Sequence, residues 1–587
     1  MKFFRKITVC LVSVLCIMPA FALNFEVEGV HYIVREKAHN EVEVTYQKAQ
    51  EDNYKQFTNL ALPENVTYEE NTYTVTAIGK AAFAYAKNLS AISIPSTVTS
   101  IENNAFYGCS KLKAVKFSKT LKSIGKGAFQ YAGIEEAVLP DGLEVLGDFA
   151  FAYCERLNQL AVPNSLKFFG ANAFKDCTAL EKIRFNDGLK VIGDYAFTGC
   201  TNLKAVVLPA GLKRPNKGAF AGCTALQDVT LSKDQEDLGV DVFDNCTSLA
   251  SIHIPSQSKY MKSTADGVLL SVDGKSLFYY PKGRHDASYT LPSDIEAIGT
   301  DAFAANQYLT QVTIPANIKE IGSDAFKGCK KLKTVRMAEG VRIIRSGAFA
   351  NCTALTGIEI PKSVWKIERG AFDGCGDYNN KKNWRSHILY IGDCMIGRAD
   401  GQQKRGEMTI KSGTRLIADR AMEGSYIINL VVPKGVEIIG ERAFADCSML
   451  AAVTLPTTVL SIAKQAFDST AYFNTDKNWK SGVLYLDKFL LRADPELNGK
   501  VKVKSVQLIA DEAFAECREI TDIKLNDATM YIGKRAFLNC VSLNSINVPK
   551  KIVAISDDAF EGVQSVAIES YIENAKQNNP QLHVTVK

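Results

Sequence analysis

The sequence predicts a repeat solenoid on three observations: an Ala-Phe dipeptide that returns at near-constant spacing, apolar residues two apart inside each unit, and proline closing many of those short runs. The aromatic of the dipeptide falls at Phe83, Phe106, Phe129, Phe151, Phe174, Phe197, Phe220 and Phe243, where Val242 replaces Ala. It resumes at Phe303, Phe326, Phe349 and Phe372, then at Met422, Phe444 and Phe467, and last at Phe514, Phe537 and Phe560. Within blocks the spacing is 22 or 23 residues. The expectation is about 18 coils of stacked parallel strands with short helical turns, β-hairpin inserts and terminal caps. A length of 587 residues would otherwise suggest about four domains; the period overrides that reading.

One unit shows how a coil is built. In Cys109-Ser-Lys-Leu112-Lys-Ala-Val115-Lys-Phe117, Val115 and Phe117 share one side of a strand and face inward, while Lys116 faces out. Proline ends the strand at Pro95, Pro140, Pro163 and Pro209, among others, as suits a turn after a sheet. The stretch Ala-Phe-x-x-Cys reads as one tight helical turn that drops Phe and Cys into the interior. Gly precedes Phe by four residues in many copies, but Glu102, Arg345, Glu368 and Ala463 also stand there, so a positive φ is not required.

Three interruptions break the period. The first carries Asp266-Gly267 and Asp273-Gly274 between alternating apolar residues, the pattern of a β-hairpin. The other two match each other: Asn383-Trp384, Leu389-Tyr390 and Arg398-Ala399-Asp400 return as Asn478-Trp479, Leu484-Tyr485 and Arg492-Ala493-Asp494. The predicted organisation is a signal peptide at 1–22, an N-terminal β-rich cap at 23–75, repeats at 76–255, a hairpin insert at 256–295, and repeats at 296–376. An insert at 377–416, repeats at 417–468, an insert at 469–507, repeats at 508–562 and a cap at 563–587 follow. The last cap is expected to hold a strand, a short helix from about Glu569 and a closing strand at 583–586.

The units I-G-x-x-A-F-x-x-C-x-x-L-x-x-I-x-I-P, as in Ile192-Gly193 through Ala196-Phe197, Cys200, Leu203, Val206, Leu208 and Pro209, resemble those of the BspA-like leucine-rich-repeat family. The Asp266-Gly267-Val268-Leu269 hairpin and the Asn-Trp inserts are similar to interruptions in that family. The resemblance covers most of 76–568 and implies a right-handed leucine-rich-repeat array. It further implies export by host-associated bacteria, and for some members binding of host fibronectin or fibrinogen, or adhesion. It supplies no catalytic residue.

The N-terminus indicates the compartment. Lys2, Arg5 and Lys6 precede an apolar run from Ile7 to Met18 and then Ala20-Phe21-Ala22, the form of a secretory signal cleaved after Ala22. Neither Cys10 nor Cys16 follows a small residue, so lipid attachment is not expected. The location is the cell surface or extracellular space, with the periplasm also open. Past residue 22 no run approaches the roughly 20 apolar residues of a membrane span. Lys+Arg exceed Asp+Glu by 69 − 64 = 5, too few for a nucleic-acid binder. Of the 15 cysteines, twelve occupy one repeat position, three after the aromatic, and Cys394 stands apart. Stacked about 4.8 Å apart, wider than a disulfide's Cβ separation, they read as small buried apolar thiols.

No catalytic or phosphate-binding motif occurs, and neither cofactor nor metal is expected. What remains is surface. The outward strand residues include the candidate partner-binding positions Lys116, Arg184, Val207, His253, Arg336, Glu359 and Lys524. Trp384, Tyr390, Trp479 and Tyr485 in the inserts are candidate anchors, or equally small hairpin cores. The function expected is a non-enzymatic, adhesin-like module for a protein or glycoprotein ligand. An envelope scaffold without a host ligand is the second reading, and a hydrolase with a site formed across coils the third.

Overall fold

The structure, a computed structural model, describes residues 23–36, 40–46, 54–239, 241–399, 405–547, 549–563 and 583–585. The signal peptide with Cys10 and Cys16, Asp400 and the helix expected from Glu569 lie outside these. The chain forms two compact units, one ending at Tyr260 and the other beginning at Met261.

Each coil is tied to the next by hydrogen bonds at three corners. At the first, three-residue strands pair in parallel, as Ala91–Ser93 does with Ala114–Lys116. At the second, two-residue strands pair likewise: Ser100–Ile101, Ser123–Ile124 and Val145–Leu146. The sequence pattern does not reveal this second sheet, because two-residue strands such as Ser123–Ile124 carry no alternation to detect. At the third, the Phe83 N–H donates to the Ala105 carbonyl and the Phe106 N–H to that of Ala128, both at 2.7 Å. The Ala-Phe corner itself is closed by bonds to the third residue back, such as Tyr107 N to Asn104 O at 3.0 Å. It does not become a helix, because alternate N–H groups point to the neighbouring coil instead. The one α-helix among the described residues is Gly376–Asn379.

Inside, the phenylalanines form a ladder. Ring centroids lie 4.9 Å apart for Phe106 and Phe129, 5.2 Å for Phe174 and Phe197 and 4.7 Å for Phe303 and Phe326, with planes 4°, 2° and 11° apart. These are offset stacks of buried rings. The glycine four residues before Phe serves close approach: a Cβ on Gly193 would stand 2.6 Å from the Gly170 carbonyl oxygen.

Among the described residues no cysteine forms a disulfide, and all thirteen are buried. Their role goes beyond filling space. The Cys109 thiol donates to the Phe83 carbonyl at 3.0 Å, and Cys200 to Phe174 at 3.3 Å, a contact repeated coil after coil. Burial pushes the Cys447 thiol up to about 11 and that of Cys329 to about 12.

The interruptions are coils with an added hairpin, and they bring the array to about 21 turns. Met261–Ser263, Leu269–Ser271 and Ser276–Tyr279 form an antiparallel ribbon whose last strand re-enters the stack beside Ala297–Ile298. Tyr280 takes the place of Phe there, stacked 4.8 Å from Phe303. In the later two, Cys394–Arg398 pairs with Leu416–Ile417 and Phe489–Ala493 with Leu508–Ile509. At the N-terminus, Asn24–Val27, Val30–Glu36 and Glu41–Thr45 make an antiparallel sheet joined to Asn71–Ile78, and Tyr54 covers the end of the Phe ladder 4.6 Å from Phe83. At the other end His583–Thr585 pairs with Ala554–Ser556.

An Asn or Asp beyond the second strand clips coils together through its side chain. Asn103 accepts from the Lys126 N–H at 2.8 Å, and Asp419 and Asp511 accept from Glu441 and Lys534 at 2.9 and 2.8 Å. Burial raises the Asp511 carboxyl to about 7, against the weaker pull of Lys534.

Three outcomes follow from this packing. Ellman titration of the native protein at pH 8 should find the thirteen described thiols unreactive, and denaturant should expose them all. Phe174→Ala, in mid-ladder, should cost about 3–5 kcal/mol in denaturant melts, and Phe243→Ala, stacked on one ring only, clearly less. Because the folded Asp511 holds its proton above the usual carboxylate range, its stabilising share is complete below about pH 4 and falls as pH rises toward 7. Asp511→Asn should therefore raise the unfolding midpoint at pH 8 and converge with the parent at pH 4, as Asn103 already does the same work.

Candidate binding surfaces

Three three-stranded sheets in the first unit present the outward positions in register. Ala61, Ser93 and Lys116 form one row, Val138, Ala161 and Arg184 the next, and Val207, Thr230 and His253 the third. Lys116, Arg184, Val207 and His253 are all exposed, but they lie on three sheets rather than one groove. Val138 and Val207 stand 73% and 64% exposed, the highest points of the apolar surface.

In the second unit Arg336 is exposed in Thr334–Met337, beside Thr313. Glu359 is also exposed but lies outside any strand, contrary to the expectation that it sits on the sheet face. Gly357 turns with φ +68°, and the Asp377 carboxylate accepts from the Gly357 and Ile358 N–H groups at 2.9 and 2.8 Å. That carboxylate takes the role of the next strand and ends the sheet. Lys524 pairs in register with Lys502, which sets two like charges side by side on the last sheet.

The insert aromatics face their own hairpins. The Trp384 indole N–H donates to the Tyr378 carbonyl at 2.6 Å with the rings edge to face, and Trp479 repeats this on Phe473 at 2.7 Å. The Tyr390 and Tyr485 hydroxyls accept from the Lys411 and Lys504 N–H groups at 3.4 and 3.3 Å. Lysine ammoniums lie 5.6 and 5.3 Å over the same two rings.

Two hollows in the second unit were not apparent from the sequence. A cleft of about 560 Å³ includes Lys366, Arg369, Asp373, Asp419, Arg420 and Glu441 in its walls. Its carboxylates are largely engaged: the Lys366 ammonium reaches Asp419 at 3.2 Å and Glu441 at 3.3 Å. A smaller cup of about 400 Å³ is apolar, formed by Tyr426, Ile428 and Met449 under Arg405. The available signal was the missing cysteine: Ser425 stands in its place, and the strand that follows, Tyr426–Val431, is twice the usual length. The Lys534 ammonium also lies 3.6 Å from the Trp365 ring centroid. Seven coil steps along the chain, the two insert coils included, would separate these residues by about 34 Å in a straight stack. The stack therefore bends toward this side, where the two insert coils interrupt it.

Among the described residues no group of three or more His, Cys, Asp or Glu could hold a metal ion, and no helix is long and apolar enough to cross a membrane.

No curated protein matches the chain. Solved structures similar to it include a leucine rich cell surface protein from Faecalibacterium prausnitzii, at 24% identity over 73% of this chain and 94% of that one, with a TM-score of 0.42. A leucine-rich repeat protein from Bacteroides ovatus is 18% identical over 92% and 98% of the two chains, with a TM-score of 0.41. The pneumococcal vaccine antigen PcpA is 17% identical over 96% and 97%, with a TM-score of 0.34. The family profile described as BspA type Leucine rich repeat region (6 copies) matches residues 76–187, 168–265, 274–397, 400–484 and 498–579. With matches over most of its length and a parallel β-solenoid beneath them, the chain belongs to the BspA-type leucine-rich-repeat family.

Proposed function

We propose that this chain is an exported, non-catalytic, adhesin-like module of the cell surface or extracellular space. It binds a protein or glycoprotein through the outward face of its three-residue strands, and host fibronectin and fibrinogen are the ligands to test first. The observation that carries the reading is the pair of valines, Val138 at 73% and Val207 at 64% exposure, with Arg184 between them in sequence and on the same outward row as Val138. Valine suits a strand, but at this exposure it buries little within the fold, and apolar points around an arginine are what a protein interface covers. Between Val138 and Arg184 stands only the small Ala161, which leaves room for a partner side chain.

Binding of purified 23–587 to immobilised fibronectin, fibrinogen and a panel of host glycoproteins, titrated with salt, tests the reading. Saturable binding that Arg184→Ala weakens about tenfold, and Arg336→Ala less or equally, is the expected result. Absence of binding across the panel by folded protein would overturn it in favour of an envelope scaffold without a host ligand.

A further inference from the structure

The residue two after the ladder phenylalanine adopts a left-handed backbone in coil after coil. Gly or Asn, for which that conformation costs least, holds it at Gly199, Gly222, Asn245, Gly328, Asn351 and Asn539, and small or acidic residues hold it at Asp176, Ala305, Asp446, Ser469 and Glu516. In three of the first four coils the same position is tyrosine: Tyr85 at φ +62°, Tyr131 at +62° and Tyr153 at +61°. A bulky side chain is a poor choice for this backbone, and the interior gives nothing in return, because Tyr85 and Tyr131 are 38% and 44% exposed. The second coil keeps the row continuous by another route. Gly108 occupies its left-handed position, where a Cβ would stand 2.9 Å from the Tyr85 ring, and Tyr107 next to it fills the gap.

Four tyrosines thus run along one corner of the first unit. Centroids are 5.4 Å apart for Tyr85 and Tyr107, 5.5 Å for Tyr107 and Tyr131, and 4.6 Å for Tyr131 and Tyr153. Tyr107 stands at 73° and 76° to its neighbours, so the row has a notch rather than a flat floor. Tyr131 and Tyr153 are stacked within 7° and cover each other's faces, so the row is not a series of open parallel platforms for sugar rings.

We propose that Tyr85, Tyr107, Tyr131 and Tyr153 form a docking strip for an extended, proline-rich segment of a protein partner that carries acidic residues. The inference rests on the protein-binding reading above but places the contact on a different surface. Pitch argues for this occupant. Two coil steps span about 9.6 Å, and one three-residue turn of a polyproline II helix about 9.3 Å. Residues i and i+3 of such a segment therefore meet Tyr85 and Tyr131, which hold the same position in their coils. The segment is ordered before binding and has no internal hydrogen bonds to give up. Charge leans the same way: Lys87, Lys111 and Arg156 are exposed within four residues of the strip against one exposed acid, Glu155, and the Lys175 ammonium lies 5.9 Å over the Tyr153 ring.

The test is fluorescence anisotropy of a fluorescein-labelled oligoproline flanked by glutamates, titrated with purified 23–587. A glycine-serine peptide of equal charge and a linear glucan oligosaccharide serve as comparison probes. The expected result is saturable binding of the oligoproline, at least tenfold weaker binding of the glycine-serine peptide, and no displacement by the glucan. Tyr131→Asn should weaken binding at least tenfold without lowering the thermal midpoint, since asparagine holds this position at Asn245 and Asn351. Arg184→Ala should leave it unchanged, which separates the strip from the sheet face. Equal binding of the two peptides, displacement by the glucan, parental affinity in Tyr131→Asn, or no saturable oligoproline binding would each overturn the proposal, whatever the outcome with fibronectin.

Discussion

In most coils the N–H of the ladder phenylalanine donates to the carbonyl of the residue before the next ladder phenylalanine, alanine at Ala105 and Ala128 and valine at Val242, and the architecture depends on that bond. At 2.7 Å between Phe83 and Ala105 and again between Phe106 and Ala128, it fixes the advance of the coil at the corner where no strand exists to fix it. It takes from the corner an N–H that a helix would have used, so the corner stays a turn. The chain must then reverse two residues later, which is why the left-handed position recurs. The phenylalanine carbonyl is engaged as well. That of Phe83 accepts from the Ala86 N–H in its own coil and from the Cys109 thiol in the next, so both lone pairs are used. A small apolar residue at the cysteine position would fill the same volume and leave that second bond unmade.

The sequence carried the period, the inward phenylalanines and the free thiols in plain view, because each rests on residue type recurring at fixed spacing. What it hid was set by neighbours in space. The second sheet is built of pairs such as Ser123–Ile124, too short to alternate. Glu359 was placed on a strand because its local pattern matches every other unit, and nothing nearby in sequence reveals that Asp377, eighteen residues on, supplies the carboxylate that ends the sheet. The outward face was legible as a row of positions. Its division among separate sheets was not, because that depends on where adjoining coils lose register.

The inserts answer a problem that a long parallel stack creates. Each array has an open row of backbone donors and acceptors at its ends, and such edges invite pairing with another chain. Here the antiparallel ribbon of Met261–Ser263 and Leu269–Ser271 covers one edge, Glu41–Thr45 another, and His583–Thr585 a third. The hairpins at Trp384 and Trp479 are built alike down to the indole bond on a carbonyl six residues back. Their rings hold the ribbon in shape, and the insert coils also turn the stack, which brings Trp365 under Lys534.

A coil of this kind leaves little to choice. The core demands Phe, Cys and branched aliphatics, the close approach favours Gly at Gly193 and its equivalents, and the left-handed corner favours Gly or Asn. Selection for stability alone would bring every coil toward the same composition. Departures that the fold does not reward are therefore the informative positions: valines raised from a strand face at Val138 and Val207, and tyrosines held in a backbone better suited to asparagine. An exposed lysine says little in a chain with 69 Lys and Arg against 64 Asp and Glu. An exposed side chain in a conformation that costs energy says more, because only its contacts with neighbouring coils or with a partner can offset that cost.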